Sequence, residues 1–258
     1  AADGPYEISE LLSIGPGVTM TVGPGSMLRF LPGASLAVAG NLIMQETEQD
    51  PIFLTNVPIE VFGISNNWGG IEFSNSDNSL IEFVIIEHAH PAINLDGYST
   101  AVIRNNLFRF NGDAITDWGG YQSMLIENNT FYDNATAFAG IRTADNSYFG
   151  GNLFWKTPKI FAYGYYFGTT IVRNNSFRDA EMVIEAPANG YGYGTVDFSG
   201  NWWGTTDTDV IENLIYDLHD DARLQEVAYL PILTEEPGII GSALPVETPL
   251  PQPQPQLD

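Results

Sequence analysis

The fold of this chain is decided by a six-residue pattern, apolar-x-x-Asn-x-aromatic, first met as Ile103-Arg104-Asn105-Asn106-Leu107-Phe108. The pattern occurs five times in one phase, and its asparagines follow each other at steps of 23, 23, 23 and 26 residues. A fixed period of this length indicates a solenoid, in which each coil buries its apolar face against the next coil. The members are Ile103/Asn106/Phe108, Ile126/Asn129/Phe131, Phe149/Asn152/Phe154, Val172/Asn175/Phe177 and Phe198/Asn201/Trp203.

The repeated asparagine has a physical role in such a stack. Asn tolerates the left-handed backbone of a tight corner, and its amide both donates and accepts hydrogen bonds along a row of identical residues. The aromatic residue two positions later is expected to point inward and to stack on its equivalent about 4.8 Å away. We therefore predict a structural ladder made of Asn106, Asn129, Asn152, Asn175 and Asn201.

Two further patterns support a coil. Three Pro-Gly corners stand eight residues apart near the start, at Pro16-Gly17, Pro24-Gly25 and Pro32-Gly33. Because proline fixes φ at one turn position and glycine accepts a positive φ at the next, the run predicts a triangular coil of 24 residues. Apolar residues also recur at steps of 22 or 23, at Ile71, Ile93, Ile115, Phe138, Ile160 and Val183.

Together these features resemble the right-handed parallel β-helix of the pectate-lyase-like superfamily. The run from Ile14 to Gly40 is similar to the start of secreted bacterial β-helix repeat proteins, and Asn201-Trp202-Trp203-Gly204 is similar to their end. The resemblance covers about residues 6–233. It implies an all-β fold, a right-handed single-stranded parallel β-helix solenoid with coils of 22–24 residues.

The chain divides into two parts. Residues 1–233 are predicted to form the β-helix domain, in which 6–14 form a first strand without a cover and about 208–219 form a short capping helix. Asp207 or Thr208 is the expected N-cap of that helix. Residues 234–258 are rich in proline and glutamine, which favours an extended polyproline II tail or linker. We expect this tail to be held against something, and a neighbouring copy is the simplest candidate.

Charge and composition exclude several functions. The 258 residues include 9 Lys and Arg against 32 Asp and Glu, a net charge of −23, which disfavours nucleic-acid and membrane-surface binding. No run approaches the roughly 20 apolar residues of a membrane-spanning helix, so we expect no membrane insertion. The absence of cysteine excludes disulfides and thiolate sites. Ala1-Ala2-Asp3 reads as a mature end after signal-peptide removal, which predicts an extracellular or cell-surface protein.

The resemblance also implies which catalytic motifs to look for. Calcium-dependent uronate lyases carry clustered carboxylates and an Arg-x-Pro-x-x-Arg context, and polygalacturonase-type hydrolases carry Asn-Thr-Asp, Asp-Asp, Gly-His-Gly and Arg-Ile-Lys. Only an Asp-Asp pair occurs here, at Asp220-Asp221 beyond the coils. We therefore predict no catalytic residue and no cofactor, with a polysaccharide lyase or glycoside hydrolase as the alternative. His88 with His90, and Asp217 with Asp220-Asp221, leave a metal such as Ca²⁺ open without an identifiable site.

Aromatic residues with neighbouring glycines recur in the loops between the apolar series and the asparagine pattern. Rigid Tyr and Trp rings suit protein interfaces and the apolar faces of sugars, although the rings could also pack on one another. We call these residues the aromatic belt and predict a binding surface from them. The belt consists of Tyr98, Trp118, Tyr121, Tyr163, Tyr165, Tyr166, Tyr191 and Tyr193.

The sequence thus leads to two main functional hypotheses, beside a third in which the chain is an inert spacer in a larger adhesin. The first is a secreted, non-catalytic structural protein, a homo-oligomer or polymer that forms an extracellular fibre, sheath or surface layer through its tail and the aromatic belt. The second is a polysaccharide-binding or polysaccharide-cleaving module of a cell-surface protein, with a glycan as its partner.

Overall fold

A computed structural model describes residues 4–56, 67–117, 123–143, 146–162, 170–189 and 195–248. The first strands are β1 (Tyr6–Ile8), β2 (Leu11–Ile14), β3 (Thr19–Val22), β4 (Met27–Phe30), β5 (Ser35–Val38), β6 (Asn41–Gln45), β7 (Ile52–Asn56), β8 (Ile71–Ser74), β9 (Ser79–Glu82), β10 (Val84–Glu87), β11 (Ile93–Asp96), β12 (Ala101–Arg104) and β13 (Leu107–Arg109). They are followed by β14 (Asp113–Thr116), β15 (Leu125–Glu127), β16 (Thr130–Tyr132), β17 (Thr136–Ala139), β18 (Tyr148–Gly150), β19 (Leu153–Trp155), β20 (Lys159–Ala162), β21 (Ile171–Arg173), β22 (Ser176–Arg178), β23 (Met182–Glu185), β24 (Val196–Asp197), α1 (Thr208–Glu212), β25 (Ile215–Tyr216) and β26 (Val227–Ala228).

The strands form three long parallel sheets that the chain visits in turn. Sheet A runs β1-β4-β7-β10-β13-β16-β19-β22, and sheet B runs β2-β5-β8-β11-β14-β17-β20-β23-β25. Sheet C runs β3-β6-β9-β12-β15-β18-β21, and β24 pairs with β26 in a small fourth sheet. Each strand therefore pairs with the strand one coil earlier and one coil later, which confirms the predicted parallel β-helix.

The register of sheet B corrects one sequence interpretation. Ile71, Ile93, Ile115 and Phe138 are consecutive partners, as expected. The next two partners are Phe161 and Ile184 rather than Ile160 and Val183. The series slips by one residue because the coil after Phe138 is 23 residues long, and both residues at each slipped position are buried, so the apolar pattern alone does not distinguish them.

The five repeated asparagines form one buried column. The Oδ1 of Asn129 accepts from both the backbone N–H and the Nδ2 of Asn106, each at 3.0 Å. The same pair of bonds joins Asn129 to Asn152, Asn152 to Asn175 and Asn175 to Asn201. Each Nδ2 also donates to a carbonyl of the preceding sheet C strand, as from Asn129 to Ile103 at 2.9 Å. The ladder therefore satisfies the backbone groups that the corner would otherwise leave unpaired.

We expected the ladder asparagine itself to adopt the left-handed backbone of the corner. The residue before it adopts this conformation instead. Asn105, Asn128 and Asn174 have φ of 58°, 54° and 56°, and glycines take the equivalent positions at Gly151 and Gly200. The left-handed backbone and the ladder amide fall on neighbouring residues. The left-handed residue turns the chain, and this turn directs the next side chain inward along the column.

The inward aromatics stack along the axis, as predicted. Ring centroids are 5.0 Å apart between Phe108 and Phe131, 4.9 Å between Phe131 and Phe154, and 5.5 Å between Phe154 and Phe177. Trp203 continues the row 5.1 Å beyond Phe177. Such contacts add to the apolar burial that holds one coil on the next.

Both ends of the solenoid differ in detail from the sequence prediction. Residues 6–14 form two strands, β1 and β2, because the chain turns at Ser9-Glu10 to pass from sheet A to sheet B. Together with β3 they are the outermost strands of the three long sheets at that end. The corners at Gly17, Gly25 and Gly33 have φ of 76°, 63° and 79°, as the Pro-Gly pairs predict.

The capping helix is shorter than the predicted 208–219. Asp207 is its N-cap, with the side chain accepting from the N–H of Asp209 at 3.0 Å, and the helix ends at Glu212. Ile211 is buried, whereas Val210 is 47% exposed. The helix stops because Ile215 instead pairs with Ile184, which adds β25 to the edge of sheet B.

The described part of the tail lies on the β-helix of its own chain. We call residues 234–248 the strap. It runs back across the outer face of sheet A: Glu236 binds Arg178, the N–H of Gly241 donates to the carbonyl of Gly151, and Leu244 is buried. Residues 249–258 lie outside the described residues. The chain itself therefore supplies contacts that order the strap, and contact of the tail with a neighbouring copy stays a prediction.

Removal of one ladder asparagine should be costly, whereas removal of its neighbour should not. Asn129→Gly leaves the buried N–H of Asn106 and the carbonyl of Ile103 without their side-chain partner, and each such loss costs about 1–3 kcal/mol. Asn128→Gly keeps the positive φ that glycine adopts freely. We expect a large fall in the free energy of unfolding for the first variant and almost none for the second, measured by urea denaturation. Equal effects would contradict the role of the ladder.

Attachment of the strap should weaken in acid. The hydrogen bond from Arg178 lowers the pKa of Glu236 from its ordinary value of 4.5, with a further contribution from Ser176. The carboxyl of Glu236 is a stronger acid when it is bound to Arg178 than when the strap is detached. Its contribution to the free energy of strap attachment is therefore complete above pH 4.5 and is lost as the pH falls through the lowered pKa.

Hydrogen exchange of the Gly241 amide, corrected for intrinsic rates, should show the weaker attachment of the strap as a loss of protection on acidification. The buried Asn106 amide serves as the internal reference. Glu236→Gln should give weak protection of Gly241 at every pH. If wild type and variant behave alike, the ion pair does not hold the strap.

Candidate functional site

The outer face of sheet A carries two columns of side chains, because alternate residues of each strand point away from the core. The first column meets the strap: Met27, Phe53, Ile85 and Leu107 form one buried apolar cluster with Leu244. The second column follows the register of the sheet and lies towards the corner with sheet B. From Thr55 onwards the column consists of Thr55, Glu87, Arg109, Tyr132, Trp155 and Arg178.

A buried ion pair occupies one end of this second column. The Nε of Arg109 donates to the Oε2 of Glu87 at 2.7 Å, and the hydroxyl of Thr55 donates to the other oxygen of that carboxylate at 2.7 Å. Arg109 also donates to the carbonyl of Val246 in the strap. Through these bonds the group connects sheet A to the strap.

The other end of the column is aromatic and reaches the surface. The centroids of Phe110 and Tyr132 are 5.9 Å apart, and those of Tyr132 and Trp155 are 5.0 Å apart. Phe110 is 40% exposed, and Tyr132 and Trp155 are half-buried. We call this surface the corner strip. It comprises Phe110, Tyr132, Trp155, Lys156, Arg178 and Asp179.

The local backbone brings ring and charge together at the corner. His88, Phe110, Asp133, Lys156 and Asp179 have left-handed φ, of 59°, 58°, 53°, 52° and 54°, at the same corner on five successive coils. Left-handed conformations are costly for residues other than glycine and asparagine. Because this corner is left-handed in all five coils, the conformation belongs to the turn of the coil. The strip is a candidate site because its rings and charged groups reach the surface together.

Polar contacts hold the rings of the strip in place. Lys156 donates to the hydroxyl of Tyr132 at 3.1 Å, and the indole N–H of Trp155 donates to Asp179 at 3.1 Å. The hydrogen bond to Tyr132 raises the pKa of Lys156, and the bond to Glu236 raises the pKa of Arg178, so both side chains remain cationic. The Lys156 ammonium lies 5.2 Å from the centre of the Tyr132 ring. The strip is thus a preordered surface of rings, cations and a carboxylate.

The strip ends at an open pocket of about 430 Å³ beside α1. Arg178 and Asp179 belong to both, and the pocket is further lined by Trp202, Trp203 and Thr205. The indole N–H of Trp203 is buried and has no hydrogen-bond partner among the described residues. Rings and hydrogen-bonding groups therefore continue from the corner strip into the pocket.

Most of the predicted aromatic belt cannot be placed. Tyr98 lies in the described residues and is 73% exposed, in keeping with a surface position. Trp118, Tyr121, Tyr163, Tyr165, Tyr166, Tyr191 and Tyr193 lie outside the described residues. The predicted asparagine ladder is buried and serves the fold, so among the predicted site residues only Tyr98 is seen at the surface.

Sequence reasoning missed the corner strip and a second ladder. The Oδ1 of Asn134 accepts from the backbone N–H and the Nδ2 of Asn111, as the Oδ1 of Asn129 accepts from Asn106. The backbone N–H of Asn134 donates in turn to the hydroxyl of Thr157. The 23-residue step was present in the sequence for Asn111, Asn134 and Thr157. Tyr132, Trp155 and Arg178 keep the same step, but their chemistry changes at each coil, so no repeated residue type marked them.

The candidate metal ligands are engaged in other contacts. Asp217 accepts from the N–H groups of His219 and Val227, at 2.9 Å and 2.8 Å, and its Oδ1 also lies 3.0 Å from the His219 ring. Asp221 pairs with Arg223, whose hydrogen bond lowers the pKa of Asp221 to about 2. His88 lies at a left-handed corner after β10 ends, so it does not share a strand face with His90 as we had assumed. Within the described ranges, no group of three or more metal-binding side chains occurs.

Comparison with known proteins identifies the family. A family model described as the right-handed beta helix region matches residues 55–215. The chain therefore belongs to the right-handed β-helix family, in agreement with the fold and with the resemblance to the pectate-lyase-like superfamily. Comparisons with curated proteins and with solved structures found no significant match. No helix in the described part of the chain is long and apolar enough to cross a membrane.

Proposed function

We propose that this β-helix is a non-catalytic polysaccharide-binding protein of the cell surface or the extracellular space. The corner strip is the observation that carries the proposal. Rings on successive coils, held by Lys156 and Asp179, present rigid apolar area at a regular spacing, and such area suits the apolar faces of successive sugar units. A sheet supplies this surface without the ordering cost of a flexible loop.

A neutral polysaccharide is the ligand that best fits the charges. The net charge of −23 repels a polyanion, and Asp179 adds a carboxylate to the strip itself. Of the two cations, Arg178 is already paired with Glu236. The three donors of Lys156 exceed its one bond to Tyr132, so this ammonium and the Asp179 carboxylate can bind sugar hydroxyls.

Two strip variants and one belt variant test the proposal. Binding of a soluble β-glucan, a mannan, a galactan and the acidic polymer alginate is measured by affinity electrophoresis and then by calorimetry. Trp155→Ala and Phe110→Asn should each weaken binding of the neutral ligand about five-fold, since a lost ring contact costs on the order of 1 kcal/mol. Asn at 110 tolerates the left-handed backbone, so this variant removes the ring without adding strain.

Tyr98→Ala is the matched control, because Tyr98 is an exposed aromatic residue of the belt. It should leave binding unchanged. A loss with Tyr98→Ala but not with the strip variants would assign binding to the belt instead. Failure to bind any of the polymers, or preference for alginate, contradicts the proposal as stated.

Self-association into a fibre, sheath or surface layer is the second candidate function. A specific observation supports it: an apolar column on the outer face of sheet C that is not part of either buried cluster of the described residues. The strap is bound to its own chain, so in this proposal it covers an apolar surface rather than joining copies.

Light scattering after size exclusion and negative-stain microscopy test self-association. We expect assemblies of the full chain to increase with salt, because salt screens the repulsion between acidic copies. A chain ending at residue 233 should associate more, since it uncovers Phe53, Ile85 and Leu107. Monodisperse monomers at every salt concentration would exclude this function, and weaker association of the shortened chain would return the strap to the role predicted from the sequence.

A further inference from the structure

The outer face of sheet C carries a continuous apolar column. Its members are direct partners on successive strands, so they lie one above another over about 24 Å, given about 4.8 Å per coil. Ile171 is 45% exposed and the other members are half-buried. The column consists of Ile43, Leu80, Val102, Leu125, Tyr148 and Ile171.

Sheet A shows what this protein does with such a column. Its equivalent row, with Phe53, Ile85 and Leu107, is buried and forms one apolar cluster with Leu244 of the strap. The row on sheet C has no such cover from the described residues and remains accessible. Contiguous exposed apolar area of this kind marks a contact surface.

A polar column lies beside the apolar one, two residues further along each strand. Glu82, Arg104, Glu127 and Arg173 alternate in sign along it, and Arg104 binds Glu82 at 2.9 Å. At Gly150 the row has no side chain, and the hydroxyl of Tyr148 lies over that glycine. The face therefore combines an apolar stripe with a stripe of both signs, on a chain that is otherwise strongly acidic.

We infer that sheet C binds a second copy of this chain, with the two solenoid axes antiparallel. This inference rests on self-association, the second function proposed above, and names the face and the arrangement. A two-fold axis along the strand direction, midway between Val102 and Leu125, places apolar column on apolar column. The same operation places Arg104 opposite Glu127 twice, and Gln45 opposite Arg173.

The other two-fold arrangement matches less well. A two-fold axis parallel to the solenoid axis reverses the strand direction between the copies. When the apolar columns meet, the two charged columns then lie on opposite sides of the apolar contact. The charges of one copy then face no charges of the other. Complementary charges fix register and orientation at an interface, so the charge pattern favours the antiparallel pair. The contact is isologous and closes as a dimer.

A matched pair of Ile→Asp variants tests the face. Ile171→Asp places a carboxylate in the apolar column, whereas Ile239→Asp places it on the strap at a residue that is 94% exposed. By sedimentation equilibrium at fixed salt, we expect dimerisation of wild type, a dissociation constant at least about ten-fold higher for Ile171→Asp, and no change for Ile239→Asp.

The double variant Val102→Thr/Leu125→Thr guards against misfolding, because threonine keeps a good strand residue at both positions. It should also weaken the dimer, with circular dichroism and melting temperature reporting the fold. Association that persists in both face variants would overturn the inference while leaving self-association intact. A wild-type chain that is monomeric at all concentrations would overturn both.

The absence of cysteine from the sequence allows a direct test of orientation. Ile43→Cys and Ile171→Cys are prepared as separate single variants, mixed, and treated with a short bismaleimide. In the antiparallel pair these positions face each other, so the mixture should give a crosslinked heterodimer while neither variant alone gives much product. Efficient crosslinking of each variant to itself would instead require the parallel arrangement.

Discussion

Pairing of each coil with the next in a single register is the constraint on which this structure depends. A parallel strand buried between two neighbours has no partner except the equivalent segment one coil away. Residues of equal phase must therefore tolerate direct stacking. Asn106 and Asn129 meet the condition through amides that donate and accept, and Phe108 and Phe131 meet it through stacked rings. The outer columns obey the same constraint, which is why the possible binding surfaces of this protein are linear.

The sequence predicted the parts of the structure in which one residue type repeats. The Asn106 series and the Pro-Gly corners were found because their chemistry is the same in each coil. The shift of the sheet B register from Ile160 to Phe161 was not found from the sequence, because two adjacent apolar residues satisfy the same pattern. The early end of α1 was missed for a related reason: Ile215 suits a helix face and a strand equally, and only pairing with Ile184 decides between them.

The candidate sites were harder to predict than the fold. Tyr132, Trp155 and Arg178 share a column but not a residue type, so their proximity appears only once the register is known. The strap illustrates a second limit. Its composition predicted an extended segment, yet its place on the body depends on Leu244 reaching an apolar row that lies more than 130 residues earlier in the sequence. No local pattern encodes a contact of that separation.

The path of the strap also bears on how the molecule unfolds. In a simple solenoid each coil contacts only its neighbours, so end coils can fray singly and cooperativity decays with distance. Here one short segment spans from Arg178 through Gly151 to Arg109, and so it ties late coils to earlier ones. The last coil cannot peel away while those anchors hold. Such a closure converts a linear array of weakly coupled units into a body that should open in a more concerted way.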